Sequence, residues 1–433
     1  VRLAFVSPLP PLPTGIADYA ADVLAALDPV HEVEAFCEQE DVDAGRLPGA
    51  MRVLPVGELP ARHRERPFDV VVHQMGNGRA HDFVYGVLSR VPGLLVLHDL
   101  VLHHARAAHF LESEGVRAWR ASPASPAARE AARPALEAWR AELEYSYPGR
   151  GGRLFAAHLG TVGDLLPYAY PLFRIPVEAS RAVAVHSRFM AEAVRAEVAG
   201  AVVVEVPHPA RRHPVSPELV TALRRRLGFG DSDIVVGSFG LVTPEKRTSS
   251  LARAVARAAR TEPRLRLLLA GPIPDEERLR WLLAAEGVAG RTVVTGRVPL
   301  EDLAAHVEAA DVVVHLRYPT ARETSGALLR VLAQGRPTVV SDLEHQADLP
   351  DDAALRVDST RETEEVTRAI LALAGDQALR ERLGAAATAH VARAHAPRLV
   401  TAAWDAALAL ARDLPDPAPR PWPGHWPRPD GSG

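Results

Sequence analysis

Residues 322–340 read Arg322-Glu323-Thr324-Ser325-Gly326-Ala327-Leu328-Leu329-Arg330-Val331-Leu332-Ala333-Gln334-Gly335-Arg336-Pro337-Thr338-Val339-Val340. A polar cluster leads into an apolar helical stretch, a glycine stop and a β-branched strand, the second half of a parallel α/β unit. The helix is expected to run for about three turns. Thr324, Ser325 and Gly326 would then offer backbone N–H groups at its positive end, a ready seat for an anion. Glu323 stands just before them, where a carboxylate can accept from the hydroxyls of a neutral ligand. A phosphate seat beside a carboxylate suits a nucleotide-sugar. An ordinary capped helix would carry the same local signals, so the reading depends on what surrounds it.

Outward from this stretch, short β-branched runs alternate with amphipathic helical ones. Strands are expected at 3–6, 33–36, 70–73, 94–97, 182–185 and 202–206 in the first half, and at 234–239, 265–270, 292–295, 312–316 and 337–341 in the second. Such alternation predicts parallel sheets covered on both faces. Two series in a chain of 433 residues predict two doubly wound, Rossmann-like domains. Their join falls in the aperiodic stretch around 207–217. This gives an N-terminal domain over 1–210, a C-terminal one over 211–400, a helix over 401–413 returning to the first domain, and a proline-rich tail over 414–433. Residues 105–180, rich in Ala, Arg and Glu, interrupt the first series and read as a helical insertion, either a lid or acceptor-binding element or a structural pair of helices. In the tail, Trp422 and Trp426 are candidates to dock on a domain.

Ligands of open parallel sheets sit at the carboxyl ends of the strands, so the loops there carry the chemistry. The first, 7–14, is proline-stiffened and leads into Gly15, where backbone can approach a phosphate closely. It lacks the G-x-G-x-x-G spacing of a dinucleotide site. Asn77 and His81 follow the strand at 70–73 and suit hydroxyl recognition. His98 and Asp99 follow 94–97, and a neutral His98 could donate to a sugar hydroxyl. His103 and His104 lie close by, but no cysteine assists and adjacent helical residues point apart, so a metal site is not expected. Lys246 and Arg247 open the second domain's first loop and could neutralise a diphosphate. Arg297 and Val298 follow another strand, where backbone could read a base edge. The strings Asp41-x-Asp43 and Asp231-x-Asp233 read as solvated turns.

Composition narrows the field. Apolar residues make up 47% and charged residues 24%, with a net charge of −4, which speaks against a nucleic-acid partner. Cys37 is the single cysteine and Lys246 the single lysine. No disulfide within the chain can form, and lysine chemistry must use Lys246. The preference for arginine is of the kind GC-rich bacterial genomes impose. No apolar run is long enough for a transmembrane helix, and the first strand begins with no signal peptide before it. A cytoplasmic protein is the simplest reading. Peripheral membrane contact stays open, although 105–180 carries no evident basic patch.

Taken in order, these segments resemble the retaining nucleotide-sugar glycosyltransferases of family 4, which have the GT-B architecture of two Rossmann-like domains facing a central cleft. The resemblance extends from Leu3 to about residue 414. It is carried by the loop with Gly15, by Val96-Leu97-His98-Asp99, Val185-His186-Ser187-Arg188-Phe189 and Thr243-Pro244-Glu245-Lys246, and by Leu269-Ala270-Gly271-Pro272, Thr295-Gly296-Arg297-Val298 and Ala309-Ala310-Asp311-Val312. It implies transfer of a sugar to an acceptor hydroxyl with retention, no cofactor and no required metal. Gly15, Lys246, Arg247, Thr324, Ser325 and Gly326 would hold the diphosphate, and Arg297, Val298 and Arg330 the nucleotide. Asn77, His81 and Asp99 would face sugar or acceptor, with His98, Lys246 and Glu323 as the catalytic set. Two departures stand out. The family's Glu-x7-Glu pair is represented by Glu323 with one residue fewer before Gly335, and Arg330 occupies the second position. Gly240 stands where many relatives place an arginine. The alternatives are a sugar-nucleotide epimerase of this architecture and a non-catalytic sugar-nucleotide-binding protein.

Overall fold

The computed structural model describes residues 1–49, 51–160, 165–418, 420 and 422–423. The chain divides into two packed units. The first comprises Val1–Pro207, Ala321–Thr324 and the chain from Val400 onward; the second comprises His208–Thr320 and Ser325–Leu399.

The sheet of the first unit contains β1 (Arg2–Val6), β2 (Glu32–Cys37), β3 (Arg52–Pro55), β4 (Val70–Met75), β5 (Leu94–Leu97), β6 (Ala182–Val185) and β7 (Val203–Glu205), in the order β3-β2-β1-β4-β5-β6-β7. All its neighbours pair in parallel. The second sheet contains β8 (Ile234–Phe239), β9 (Leu265–Ala270), β10 (Thr292–Gly296), β11 (Val312–His315), β12 (Thr338–Ser341) and β13 (Leu355–Val357), in the order β10-β9-β8-β11-β12-β13, also parallel throughout. The order reverses direction at β1/β4 and at β8/β11. In doubly wound sheets the loops beyond such switch points form the ligand crevice. The short edge strands β3 and β13 were not expected from the sequence.

Among the described residues between 103 and 178 lie the helices His103–Leu111, Glu114–Ala121, Pro126–Ser146, Gly151–Leu159, Leu166–Ala169 and Arg174–Glu178, so the interruption of the first series is largely helical there. Pro134 lies inside the longest of them. The helix Pro397–Asp413 returns to the first unit and buries Val400, Trp404, Ala407, Leu408 and Ala411 in the same core cluster as Leu3 and Phe5. Trp422 is buried against another core cluster of the first unit, with its indole N–H directed at Glu178 at 3.4 Å. Trp426 lies outside the described residues.

The helix Gly326–Ala333 has eight residues, about two turns rather than three. Leu328, Leu329 and Leu332 pack it against Val340, Ala387 and Val391. Its C-terminus ends on Gly335 at φ 72°, the left-handed stop that glycine favours. A Cβ at Gly384, in the helix Gln377–Ala394, would overlap the Gly335 carbonyl oxygen. Gly384→Ala is therefore expected to destabilise the second unit by about 1–3 kcal/mol through overpacking. Urea unfolding would show it, and an unchanged midpoint would mean the two backbones part at no cost.

Candidate functional site

In the first unit, the loops after β1, β4 and β5 meet at Gly76. A Cβ there would strike the Ile16 side chain and approach Asp99 Oδ2 and His81 Nε2 at 3.1 and 3.2 Å. Gly15 opens the helix Gly15–Leu27, capped by Thr14, whose hydroxyl oxygen accepts from Ala17 N–H at 3.0 Å. A Cβ on Gly15 would meet nothing within 4 Å, so backbone there is accessible to a ligand.

The residues expected to face sugar or acceptor hold these loops together. Asp99 Oδ2 accepts from Asn77 N–H at 2.7 Å, and the Asn77 carboxamide bonds His104 Nδ1 at 2.8 Å and Ala105 N–H at 3.0 Å. His81 is buried, its Nδ1 at 3.3 Å from the Gln74 carbonyl oxygen. His103 Nδ1 bonds the Tyr170 carbonyl and its ring stacks on His158. Among the described residues no three His, Cys, Asp or Glu side chains form a group that could hold a metal.

His98 sits in a short chain of hydrogen bonds. His186 Nδ1 lies 2.8 Å from the Val206 carbonyl oxygen, His98 Nδ1 lies 3.1 Å from His186 Nε2, and His98 Nε2 lies 2.6 Å from the Gln74 carboxamide. A carbonyl only accepts, so His186 donates from Nδ1. The Gln74 partner is its Oε1, which likewise only accepts, so His98 donates from Nε2 to Gln74. The Tyr19 ring packs edge-on to His98 at 4.6 Å. Both imidazole nitrogens of His98 are thus engaged by protein, which the expectation of a sugar-facing ring did not include.

Burial holds several histidines of this unit neutral. It pushes His73 and His81 down to about 4 and His103 to about 3, against backbone hydrogen bonds that act the other way. The unfolded chain takes up protons at these rings below about pH 6.5, and the folded chain only near the depressed values. Their stabilising effect is complete above about 6.5 and is lost as pH falls toward 4. Each contributes up to about 1.4 kcal/mol per pH unit in that window. Chemical unfolding at pH 7 and pH 5 should show lower stability at pH 5, with net proton uptake on unfolding; equal stabilities would contradict this reading.

The segment Ala321–Thr324 belongs to the first unit. The Ala321 carbonyl accepts from the N–H groups of Leu100 and Val101, each at 3.1 Å, immediately after His98 and Asp99 in the chain. Arg322 has φ 58°. Glu323 therefore precedes the helix, in irregular backbone. As the sequence suggests, Glu323 stands before the helix; Arg330 is helical and Glu323 is not, so the two do not share a helical face.

In the second unit the groups converge at the β8/β11 switch point. Pro244–Lys246 forms a single 3-10 turn after β8, and Arg247 follows in the left-handed region at φ 55°. Arg247 is drawn off to Glu362, its Nε 2.8 Å from the buried carboxylate. The expectation that Arg247 joins Lys246 at a diphosphate did not include this pairing. The Lys246 ammonium lies 3.5 Å from Nε2 of His315, the last residue of β11. Ser325 caps the helix Gly326–Ala333, its hydroxyl oxygen accepting from Leu328 N–H at 3.3 Å and lying 3.1 Å from the same His315 Nε2. Gly326 is packed so closely that a Cβ would come within 3.0 Å of His208 Nε2 and 3.3 Å of an Arg330 guanidinium nitrogen. Gly240 bends the chain at φ 108°, beside the Lys246 side chain. Arg297 is exposed just past β10, while Val298 packs into a core cluster. Asp43 caps the turn Ala44–Arg46, and Asp233 accepts from Gly230 N–H and pairs with Arg266, so both D-x-D strings serve local structure.

The sequence reading missed His315. A histidine ending an apolar strand carries no signal until β8 and β11 are known to be neighbours.

Residues 233–376 match the family described as glycosyl transferases group 1. Among curated proteins, the chain is 27% identical over 187 residues to the GDP-mannose-dependent monoacylated alpha-(1-6)-phosphatidylinositol monomannoside mannosyltransferase of Corynebacterium glutamicum, covering 41% of this chain and 48% of that protein. It is 34% identical over 196 residues to the D-inositol 3-phosphate glycosyltransferase of Stackebrandtia nassauensis, covering 41% and 43%. The alignments thus span less than half the length of either relative. Among solved structures, Anabaena Alr3699/HepE in complex with UDP superposes with a TM-score of 0.63 at 15% identity, covering 94% of this chain and 100% of that one. WaaG, a glycosyltransferase involved in lipopolysaccharide biosynthesis, gives 0.60 at 14% identity, covering 94% and 99%. The fold is that of the GT-B glycosyltransferases.

Proposed function

We propose that the protein transfers a sugar from a nucleoside-diphosphate sugar to an acceptor hydroxyl, with retention of anomeric configuration and no required metal. One observation carries the reading. At the switch point of the second sheet, the chain's only lysine and the capped N-terminus of the helix Gly326–Ala333 come together on His315, inside the stretch that matches the group 1 family.

Departure of the nucleoside diphosphate builds negative charge on its β-phosphate. Lys246 and the N–H groups at Ser325 and Gly326 would meet that charge, and preorganised donors of this kind supply the largest electrostatic stabilisation an enzyme has. Glu323, just before Ser325 in the chain, would orient the donor sugar through its hydroxyls, and Arg330 would reach the nucleotide. A leaving phosphate oxygen would take the acceptor proton, so no protein base is assigned. His98 would act near the sugar as a group rigidly oriented by Gln74 and His186.

The two relatives point to a first choice of substrates. One uses GDP-mannose by its name and the other acts on D-inositol 3-phosphate, while the HepE structure holds UDP. GDP- and UDP-sugars, with inositol phosphates and phosphatidylinositol mannosides as acceptors, form the initial screen. Release of nucleoside diphosphate coupled to a glycosylated product supports the reading. Neither turnover nor a thermal shift with any UDP-, GDP-, ADP- or dTDP-sugar would remove it. Glu323→Gln is expected to lose transfer by at least about tenfold while free nucleoside diphosphate still binds, the pattern of an interaction made to the sugar. Full transfer in that variant would leave Glu323 as an ordinary carboxylate before a helix.

A further inference from the structure

We propose that His315 is a positioning residue whose Nε2 aims the Lys246 ammonium at the donor diphosphate, as an acceptor that adds no negative charge. The inference rests on the glycosyl-transfer reading of this site and extends it to a residue with no other part in it.

His315 ends β11 with 2% of its surface exposed. Its Nε2 receives two groups from different loops, the Lys246 ammonium at 3.5 Å and the Ser325 hydroxyl at 3.1 Å. An ammonium only donates, so Nε2 carries no proton. The Ser325 oxygen already accepts from Leu328 N–H, which leaves its own proton to point at Nε2. Burial, then the charges of Lys246 and Arg317, hold the ring well below the usual histidine range, and it stays neutral.

The choice of residue has a physical reason. A lysine that must grip an anion needs a partner to fix its flexible stem. A carboxylate would fix it but would cancel its charge and repel the phosphates. A neutral imidazole nitrogen accepts a hydrogen bond and leaves the positive charge intact. The same nitrogen ties Lys246 to the residue that caps the helix, so ammonium and helix N-terminus are held in register.

The test measures binding of UDP and GDP by calorimetry to the full chain, with His315→Leu, His315→Gln and His315→Glu made alone and in a Lys246→Ala background. Leucine, which cannot accept, should weaken binding by about 5- to 20-fold, toward the lower end of what removing Lys246 costs, because the ammonium stays but is no longer aimed. Glutamine, a neutral acceptor of similar reach, should stay within about threefold of the parent. Glutamate, of the same length but anionic, should weaken binding more than leucine does. In the Lys246→Ala background the leucine change should have almost no further effect, because the two residues act as one. If Lys246→Ala weakens binding and His315→Leu costs as much again on top of it, His315 acts independently and the inference is overturned while the site stands. Equal binding by the glutamine and glutamate variants would also overturn it. If Lys246→Ala itself leaves binding unchanged, the reading of the site fails and the role of His315 fails with it. The glutamine–glutamate pair keeps the comparison decisive even where leucine impairs folding.

Discussion

Lys246→Ala is expected to weaken nucleoside diphosphate binding by about 1.5–3 kcal/mol, roughly 10- to 150-fold, the range for a lost hydrogen bond between charged groups. The expectation follows from composition and topology together. No other lysine exists in the chain to substitute, and the neighbouring Arg247 is committed to the buried Glu362. The loss should shrink as salt rises, because the lysine is half-buried and partly screened. Titration of UDP and GDP at low and moderate ionic strength measures both effects. An affinity equal to that of the parent protein would take Lys246 out of the site.

The largest effect on stability is expected from Glu142→Ala. Arg106 Nε and one of its terminal nitrogens bond the two Glu142 oxygens at 2.7 and 2.6 Å. The two side chains are only 4% and 2% exposed. The guanidinium also lies over the Tyr85 ring at 4.4 Å and the Phe110 ring at 4.9 Å. This pair joins the helix His103–Leu111 to the helix Pro126–Ser146 in the inserted region. Removing one partner leaves a buried charge without its counter-ion, at a cost of about 3–5 kcal/mol. Replacing both, as Arg106→Met with Glu142→Leu, should recover much of that loss, since well-packed apolar residues of similar volume often equal a buried ion pair. Denaturant unfolding of the single and double variants distinguishes the cases. A single-variant loss below about 1 kcal/mol would show that water reaches the abandoned arginine.

The central strands were readable in the sequence because burial on both faces writes them as uninterrupted apolar runs between turn signals. Residues 94–97, 182–185, 234–239 and 265–270 were bounded as β5, β6, β8 and β9 are. The edge strands β3 and β13 escaped notice because they are short and mostly only half-buried, so their apolar signal is too faint to count. Of the candidate site, Lys246 and the Ser325–Gly326 cap were legible because loop chemistry after a strand is local. The role of His315 was not, since it depends on β8 and β11 becoming neighbours. That Glu323 lies ahead of the helix was legible in the polar cluster, but what holds it there is tertiary. The hydrogen bonds from Leu100 and Val101 to Ala321, with Arg322 in the left-handed region, hold the chain in irregular form until Ser325. No periodicity in 322–333 reports those contacts.

The return of Pro397–Asp413 to the first unit sets an order of maturation during synthesis. Trp404 packs beside Phe5 at 6.5 Å between ring centroids, in a cluster that also holds Leu3, Val33 and Val70. The ribosome makes those strands first, yet the residues that close over them emerge after the second unit's own stretch, which ends at Leu399. The second unit can therefore complete its sheet while the first still waits with an apolar face uncovered. A nascent chain halted near residue 395 would expose that face, and its susceptibility to protease or its capture by a chaperone should disappear once the helix Pro397–Asp413 clears the exit tunnel.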